Sequence, residues 1–345
     1  MTVLVTGAAG FLGGAVVTSL LEKGHDVRTV LRPSSRAEDL AWYDRVEVFR
    51  ADLRSHPELG TAFDGVDALV HLAAAMSGGE VAMFSGTVTA TERLLDAMAR
   101  TPTRRLVLAS SFSVYDWSRI HGVLDEDGPV EQDIYARDGY AVSKVWQERV
   151  SRRMSEEHGW DLTVLRPGYV WGSGGEWVYG LGIRAGPALA VVAPRARLPL
   201  THVRNCADCF AAVVDDDRSF GETYNVVDGY PLSTWSYAER YLAWKGGPSV
   251  RIPVPFHVGL GAARAVSAVV GAVARRPTRL PSLLVPSGFE ARFKPLRHSN
   301  AKLARQLGWH PPHGLGFCLT DTFGTSPVPS APARTQDGDT APRAP

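Results

Sequence analysis

The stretch Thr2-Val3-Leu4-Val5-Thr6-Gly7-Ala8-Ala9-Gly10-Phe11-Leu12-Gly13 decides the fold of this chain. It begins as a short apolar strand, and a glycine-rich turn follows at once. From Ala15 to Lys23 the apolar residues recur at helical spacing, so the stretch predicts a strand–turn–helix unit. Gly7 would allow the tight turn, Gly10 would let the backbone approach a pyrophosphate, and Gly13 would let the helix pack close to the strand. The spacing therefore predicts a dinucleotide site at a helix N-terminus.

Strand and helix patterns continue to alternate along the chain. The predicted strands cover residues 2–6, 26–31, 46–50, 67–72, 105–110 and 162–166, and the predicted helices cover 12–23, 87–100 and 139–158. This alternation indicates an α/β fold with a parallel, doubly wound sheet. The strand ends would then meet at one edge, where such sheets bind ligands.

The run Gly139-Tyr140-Ala141-Val142-Ser143-Lys144 supplies a candidate acid–base pair. Residues four apart lie on one face of a helix, so the Lys144 ammonium can lie beside the Tyr140 phenol. A free tyrosine has a pKa near about 10 and is a poor base at neutral pH. A neighbouring cation favours the phenolate, so we expect Lys144 to lower the pKa of Tyr140 toward the operating range.

Composition and charge exclude several classes of function. The chain has 345 residues, a net charge of +1 and 45% hydrophobic residues, which is ample for a large core. Without an extended basic run, no nucleic-acid partner is expected. The first strand begins at residue 2, which leaves no room for a signal peptide, and Cys206, Cys209 and Cys318 cannot all pair. Both features predict a cytoplasmic protein. Cys206 and Cys209 form a C-x-x-C without a second ligand pair, so no metal site is expected.

Eight motifs in order resemble those of an extended short-chain dehydrogenase/reductase, the NAD(P)-dependent epimerase/dehydratase group. They are the glycine loop, Asp52-Leu53, His71-Leu72-Ala73-Ala74, Ser110-Ser111 with Val114-Tyr115, Tyr140 to Lys144, Leu165-Arg166-Pro167-Gly168, Thr201-His202-Val203 and Leu307-Gly308-Trp309. The resemblance implies a Rossmann-type dinucleotide-binding domain over 1–166, with returns near 202–230. A smaller, interleaved C-terminal substrate lobe would occupy mainly 167–323. The Pro/Ala/Ser/Thr/Asp-rich stretch 324–345 is expected to be a disordered tail.

The resemblance also assigns the site. Ser111 would hydrogen-bond the substrate oxygen while Tyr140 transfers the proton, with Lys144 beside it. Ser110 is the positional rival, because strand neighbours point to opposite faces. Thr87 stands where relatives usually carry Asn, so a different proton relay is expected. The implied cofactor contacts are Gly7, Gly10, Phe11, Leu12, Gly13, Arg32, Asp52, Leu53, Leu72, Ala73, Ala74, Tyr140, Lys144, Pro167 and Val170.

The end of the second strand bears on the choice of cofactor. NAD-preferring relatives place an acidic residue there for the ribose 2′-hydroxyl, whereas this chain has Leu31 followed by Arg32. An arginine fork would bind a 2′-phosphate, so NADP(H) is favoured over NAD(H). The alternative is a solvated loop arginine in an enzyme that accepts NAD. Asp52 would accept a hydrogen bond from the adenine amino group, with Leu53 packing on the ring.

The later segments resemble the 3β-hydroxysteroid-dehydrogenase-like and dihydroflavonol-reductase-like branches. The expected function is an NADP(H)-dependent oxidoreductase, a ketoreductase or alcohol dehydrogenase, that acts on a lipophilic or aromatic ketone or alcohol by Ser-Tyr-Lys chemistry. A nucleotide-sugar epimerase or 4-ketoreductase with transient hydride transfer is the main alternative, and a non-catalytic nucleotide-binding protein is the third. Four aromatic residues could line the substrate pocket; they are Trp117, Trp171, Trp177 and Tyr179.

Two features of the C-terminal half concern partners. Five arginines are available to bind the diphosphate of a nucleotide sugar: Arg184, Arg195, Arg197, Arg204 and Arg251. The apolar helical stretch from Gly261 to Ala274 is expected to be too short, and too interrupted by Arg264, to span a membrane. The expected partner is a small-molecule substrate, with no integral membrane segment, and a homodimer stays open.

Overall fold

The computed structural model describes residues 1–324, except residues 56, 58, 134–136, 247–249 and 274–279. In chain order the strands are β1 Thr2–Thr6, β2 Asp26–Leu31, β3 Glu47–Arg50, β4 Ala68–His71, β5 Arg105–Ala109, β6 Val123–Leu124, β7 Asp161–Pro167, β8 Tyr169–Trp171, β9 Ile183–Ala185, β10 Ala188–Val192, β11 Leu200–His202, β12 Thr223–Val226, β13 Val250–Val254 and β14 Arg297–His298. The helices are α1 Phe11–Glu22, α2 Glu80–Phe84, α3 Ala90–Met98, α4 Gly139–His158, α5 Val203–Val214, α6 Thr234–Lys245, α7 Phe256–Val273, α8 Pro286–Phe293, α9 Ala301–Leu307 and α10 Leu315–Phe323. Apart from Gly324, the tail that the sequence predicts to be disordered lies outside the described residues.

Seven parallel strands form the central sheet, in the order β12-β7-β5-β4-β1-β2-β3. The chain moves outward from β1 in both directions, so the sheet is doubly wound and of Rossmann type, which confirms the predicted fold class. The register aligns Thr6 at the end of β1 with Val30 of β2 and His71 of β4. The loops that follow these three strands therefore meet at one edge of the sheet.

The strands of the sheet are apolar on both faces because helices cover both. Val3, Leu4 and Val5 of β1 are fully buried, as expected for a strand in the middle of a parallel sheet. Helices α1 and α5 pack together on one face, and α3 and α4 pack on the other. The six predicted strands all form, with ends within one residue of the prediction.

One predicted helix is wrong in extent. The sequence predicts a helix over 87–100, but helical backbone runs from Glu80, the start of α2, through a π-helical turn at Ser85–Thr89 to Met98 at the end of α3. Gly78 and Gly79 precede this segment, and Gly86 lies inside it. A glycine inside a helix weakens the helical signal, so the first turns are not visible from composition.

The C-terminal segments form smaller sheets and helices beside the sheet edge. Strands β13, β10 and β9 form a three-stranded sheet, β11 pairs with β8, and β14 pairs with β6. Strand β12 returns to the central sheet, where it pairs in parallel with β7. The domain boundaries themselves stay a prediction.

Helix α7 is longer than the sequence predicts. It begins at Phe256, not near Gly261, because Phe256 and Leu260 pack at helical spacing against Phe289 and Phe293 of α8. Its 18 residues have a mean hydropathy of 1.5, so by length and composition it could cross a membrane, yet only 17% of it is buried inside the protein.

Candidate active site and nucleotide cleft

The glycine loop leaves the first backbone N–H groups of α1 accessible from the cleft. Gly7 has a φ of +75°, and its carbonyl accepts from the Gly10 N–H at 3.0 Å. A Cβ on Gly13 would lie 2.0 Å from the Gly7 oxygen, so only glycine fits there. Gly10 caps α1 without a side-chain hydrogen bond, which leaves the first N–H groups of the helix available. Such a cradle at the positive end of a helix fits the pyrophosphate of a dinucleotide.

The ends of β2 and β3 carry a cluster of arginines around one carboxylate. Arg54 donates to both carboxylate oxygens of Asp52, at 3.0 and 2.6 Å, and this pairing, aided by Arg32, lowers the pKa of Asp52 to about 2. Arg32 is exposed directly after β2, and its carbonyl and that of Ser35 accept from Arg50 at 3.4 and 2.7 Å. The sequence prediction missed Arg54, although it follows Asp52 by only two residues.

Ser111 and Tyr140 face each other at the end of β5 and the start of α4. Burial raises the pKa of the Tyr140 phenol to about 12; a hydrogen bond with the Ser111 side chain lowers this pKa by less, and the Asp138 charge adds to the rise. The Ser110 hydroxyl instead donates to Glu148 Oε2 at 2.7 Å. Glu148 is buried and also pairs with Arg166, whose Nε lies 3.2 Å from Oε2. Ser110 thus belongs to a buried ion-pair network beneath the site.

Lys144 is buried one turn after Tyr140. Its Nζ donates to the Ala109 carbonyl at 2.8 Å and to Gln147 Oε1 at 2.8 Å. Burial lowers the pKa of Lys144 to about 7, against a smaller opposing effect of Glu148. The expectation that Lys144 lowers the Tyr140 pKa is not met in this structure, because the ammonium is directed at these two acceptors and burial of the phenol dominates.

Gln147 connects Lys144 to the rest of the sheet edge. Its Nε2 lies 3.1 Å from the Ala73 carbonyl, 3.1 Å from His71 Nε2 and 2.9 Å from Thr91 Oγ1. Burial lowers the pKa of His71 to about 3, so this imidazole is neutral. The sequence prediction missed Gln147. Its position three residues after Lys144, on the same face of α4, is the available signal.

Thr87 does not take the place of the usual asparagine in the cavity wall. Its hydroxyl is buried and accepts from the Ala75 N–H at 3.0 Å, and its carbonyl accepts from Thr91 at 2.6 Å. Thr87 lies in the π-helical turn, and the neighbouring Gly86 and Ala90 face the cavity instead. The Thr87 hydroxyl is therefore engaged with the backbone at Ala75, and the altered proton relay stays a prediction.

A cavity of about 1140 Å³ runs from the glycine loop past Ser111 and Tyr140 to the C-terminal lobe. Ser110 lines it beside Ser111. The predicted catalytic residues and every predicted cofactor contact line this cavity; they are Ser111, Tyr140, Lys144, Gly7, Gly10, Phe11, Leu12, Gly13, Arg32, Asp52, Leu53, Leu72, Ala73, Ala74, Pro167 and Val170. Their individual roles stay predictions.

The far end of the cavity is apolar and aromatic, with two guanidinium groups. Its walls include Phe112, Trp117, Trp177, Val178 and Tyr179. Trp171, which the sequence also suggests for the pocket, instead lies fully buried in the core of the lobe. Trp171 packs there edge-on against the Tyr237 ring, with 5.5 Å between the ring centroids.

Arg137 and Arg292 are the arginines on this side of the cavity among the described residues. Arg137 is buried, donates to the Tyr115 carbonyl at 2.8 Å and lies 3.7 Å from Glu131, while its Nε has no partner in the described part of the chain. Arg292 lies over the Tyr179 ring at 5.3 Å. The five arginines considered for diphosphate binding do not line the cavity; they are Arg184, Arg195, Arg197, Arg204 and Arg251.

Comparison with known proteins agrees with this geometry. The profile of the NAD dependent epimerase/dehydratase family matches residues 3–226. The chain is 30% identical over 341 residues to a 3 beta-hydroxysteroid dehydrogenase/Delta 5-->4-isomerase of Mycobacterium tuberculosis, covering 92% of this chain and 88% of the relative. It is 33% identical over 191 residues, 50% of this chain and 57% of the relative, to a dTDP-4-dehydro-6-deoxy-D-allose reductase of Streptomyces. A UDP-glucuronic acid 4-epimerase from Bacillus cereus, solved in complex with NAD, has the same fold, with a TM-score of 0.69, 17% identity and coverage of 94% of this chain and 97% of that one.

Proposed function

The chain belongs to the NAD-dependent epimerase/dehydratase family and is an NAD(P)-dependent oxidoreductase, and from that premise we propose that it interconverts a lipophilic or aromatic ketone and its alcohol with NADP(H). The observation that carries this proposal is the continuous cavity, which joins the glycine loop, the Ser111–Tyr140 pair and an apolar aromatic wall. A dinucleotide and a ketone can therefore meet at the Tyr140 phenol.

The chemistry that the chain itself supplies is proton transfer and orientation. Because burial raises its pKa to about 12, Tyr140 carries its proton at neutral pH and acts as the acid toward a carbonyl oxygen. Ser111 donates a second hydrogen bond to that oxygen and fixes its position. When bound, the nicotinamide supplies or accepts the hydride. Lys144, with a pKa of about 7, binds the cofactor ribose in its protonated form.

Arg32 supports the preference for NADP(H). It follows β2 directly, it is exposed, and it lines the cavity, whereas Arg54 is already held by both oxygens of Asp52. Within the described part of the chain the Arg32 guanidinium has no hydrogen-bond partner, and an arginine at this point suits a 2′-phosphate. Arg32→Ala should raise the KM for NADPH and leave that for NADH nearly unchanged, with the remote, exposed Arg45→Ala as the control. A wild-type enzyme with a lower KM for NADH would refute the preference.

The cavity wall supports a lipophilic substrate. Apolar surface that leaves water contributes about 25 cal/mol per Å², so contact with Phe112, Trp117 and Trp177 favours a fused-ring or aryl ketone over a solvated sugar. The relative from Mycobacterium tuberculosis, whose name specifies a steroid substrate, supports the same class.

A nucleotide-sugar epimerase or 4-ketoreductase is the second candidate, and one observation favours it. Arg137 and Arg292 line the substrate end of the cavity and could bind a diphosphate. Such an epimerase would retain its nicotinamide tightly, since net redox is zero.

Two measurements separate these candidates. Oxidation of NADPH is followed with a panel of hydrophobic ketones and with UDP- and dTDP-hexoses, and the purified protein is analysed by mass spectrometry for retained cofactor. We expect turnover with ketones and an exchangeable cofactor. Retained nicotinamide together with sugar-nucleotide epimerisation would overturn the proposal. Tyr140→Phe should lower turnover by several orders of magnitude with NADPH still bound. Tyr224→Phe is the control, because Tyr224 does not line the cavity and its hydroxyl has no hydrogen-bond partner among the described residues.

A further inference from the structure

Two buried polar groups in the cavity wall have no hydrogen-bond partner. They are the hydroxyl of Ser113 and Nε of Arg137. In the described part of the chain, none of the other residues with such an unpartnered buried atom lines the cavity. A buried donor without an acceptor costs free energy, because it has given up its hydrogen bonds to water. Two such donors in one cavity wall indicate that a bound molecule supplies the acceptor.

A short turn holds Ser113 beside the candidate catalytic pair. Ser111 caps a 3-10 turn at Phe112–Val114, and its Oγ accepts from the Ser113 N–H at 3.1 Å. The Ser111 side chain is also hydrogen-bonded to Tyr140. The hydroxyls of Ser111 and Ser113 therefore belong to one turn, but only that of Ser111 has a partner among the described residues. The Ser113 hydroxyl is free to donate to a molecule in the cavity.

Arg137 is fixed to the segment that follows this turn. Its Nη1 donates at 2.8 Å to the carbonyl of Tyr115, two residues after Ser113. The same Nη1 lies 3.7 Å from the Glu131 carboxylate, which is too long for a hydrogen bond. Arg137 exposes only 6% of its surface, so water does not replace the missing acceptor at Nε. Ser113 and Arg137 thus give this part of the cavity wall two donors.

The charges around Arg137 indicate which kind of acceptor suits it. Burial lowers the pKa of Arg137, although three carboxylates oppose this effect; they are Asp138, Glu131 and Asp116. A further anionic group would meet these carboxylates as well as the guanidinium. A neutral oxygen adds no charge, and a carbonyl oxygen has two lone pairs with which it can accept from both donors. The surroundings therefore favour an uncharged carbonyl.

We propose that Ser113 and Arg137 form a second polar subsite, which hydrogen-bonds an uncharged carbonyl oxygen of the substrate other than the one that is reduced. Ser111 and Tyr140 bind the carbonyl that reacts. The substrate is then a lipophilic diketone, and the product is the corresponding hydroxyketone. The subsite specifies the substrate class of the proposed function, on which it rests.

The test compares matched ketones at saturating NADPH. The panel contains a fused-ring monoketone, diketones of the same skeleton with the second carbonyl at successive ring positions, and keto acids of that skeleton. We expect kcat/KM for the best diketone to exceed that for the monoketone about tenfold, with no gain for the acids. Ser113→Ala should remove most of this preference, and Arg137→Lys, which keeps the charge but lacks Nε, should reduce it.

Ser151→Ala is the matched control. The Ser151 hydroxyl is also buried without a partner among the described residues, but Ser151 does not line the cavity. This variant should therefore keep the preference of the wild type. Circular dichroism establishes that each variant is folded, and the Ser113 hydroxyl can be removed without loss of a hydrogen bond within the described chain.

Binding is measured separately from turnover, by quenching of tryptophan fluorescence when each ketone is added to the complex with NADP⁺. Turnover of ketones without a preference for any diketone, or with a preference that Ser113→Ala retains, overturns the subsite and leaves the proposed function intact. A gain for the keto acids also overturns it. Absence of turnover with every ketone refutes the proposed function. The binding data then decide: tighter binding of a diketone that depends on Ser113 supports the subsite, and equal binding overturns it.

Discussion

Replacing Gln147 with methionine should lower the pKa of Lys144 and shift the pH dependence of cofactor binding. Gln147 Oε1 is one of two acceptors for the Lys144 ammonium, at 2.8 Å, and the other is the Ala109 carbonyl, also at 2.8 Å. Methionine keeps the length of the side chain but offers no comparable acceptor. The buried ammonium then loses one of its two compensating hydrogen bonds.

The size of the shift follows from the strength of that bond. A hydrogen bond to a charged group contributes about 1.5–3 kcal/mol, and one pKa unit corresponds to about 1.4 kcal/mol. The pKa of Lys144, about 7 in the wild type, should fall by roughly one to two units. At pH 7 the protonated fraction then drops from about half to between about 1% and 10%, and the affinity for NADPH drops with it.

The assay is a fluorescence titration of NADPH at several pH values, which needs no substrate. Gln147→Met should move the pH at which affinity is lost downward, whereas Gln147→Glu, which adds a carboxylate beside the ammonium, should move it upward. Gln132→Met is the matched control, because Gln132 is exposed and its side chain hydrogen-bonds only Val130 and Arg149 among the described residues.

Two results would refute this reasoning. One is an unchanged pH dependence in a folded Gln147→Met variant, which would mean that Gln147 does not position Lys144. The other is a shift in the same direction for the methionine and glutamate variants. The melting temperature is measured as well, because losing the bonds to His71, Ala73 and Thr91 should lower stability whatever the role of Lys144.

Three further outcomes are expected. Gly13→Ala should reduce NADPH affinity more than tenfold, because its Cβ would lie 2.0 Å from the Gly7 oxygen, while Gly316→Ala, with open space around it, should not. Burial lowers the Lys144 pKa from 10.5 to about 7, so between these pH values the unfolded chain binds a proton that the folded chain does not. The unfolding free energy should therefore rise with pH across this range, by at most about 5 kcal/mol. Urea titrations at pH 7 and 9.5 measure this rise, and Lys144→Met should flatten it. Deleting residues 325–345, which are rich in proline and polar residues, should leave the melting temperature and turnover unchanged; a clear loss of either would mean that the tail contacts the folded protein.

The local part of the site could be predicted from the sequence. The glycine spacing after β1 and the four-residue spacing of Tyr140 and Lys144 depend on short-range geometry, which a turn and a helix impose on any chain. Because parallel strands end at the same edge, the sequence also indicates that Arg32, Asp52 and Ala73 gather around one cleft.

What only the tertiary structure decided depends on distances between segments far apart in the chain. Gln147 contacts His71, which lies 76 residues earlier in the chain. The Lys144 ammonium is hydrogen-bonded to Gln147 and not to the neighbouring Tyr140 phenol. The same holds for the pKa of Tyr140, which the helix spacing predicts to fall and which burial raises. Packing against α8 decided where α7 begins, although Gly259 and Gly261 weaken its helical signal. A sequence specifies which groups are neighbours along one element, but the dielectric surroundings and the partners of a buried group depend on how the elements pack.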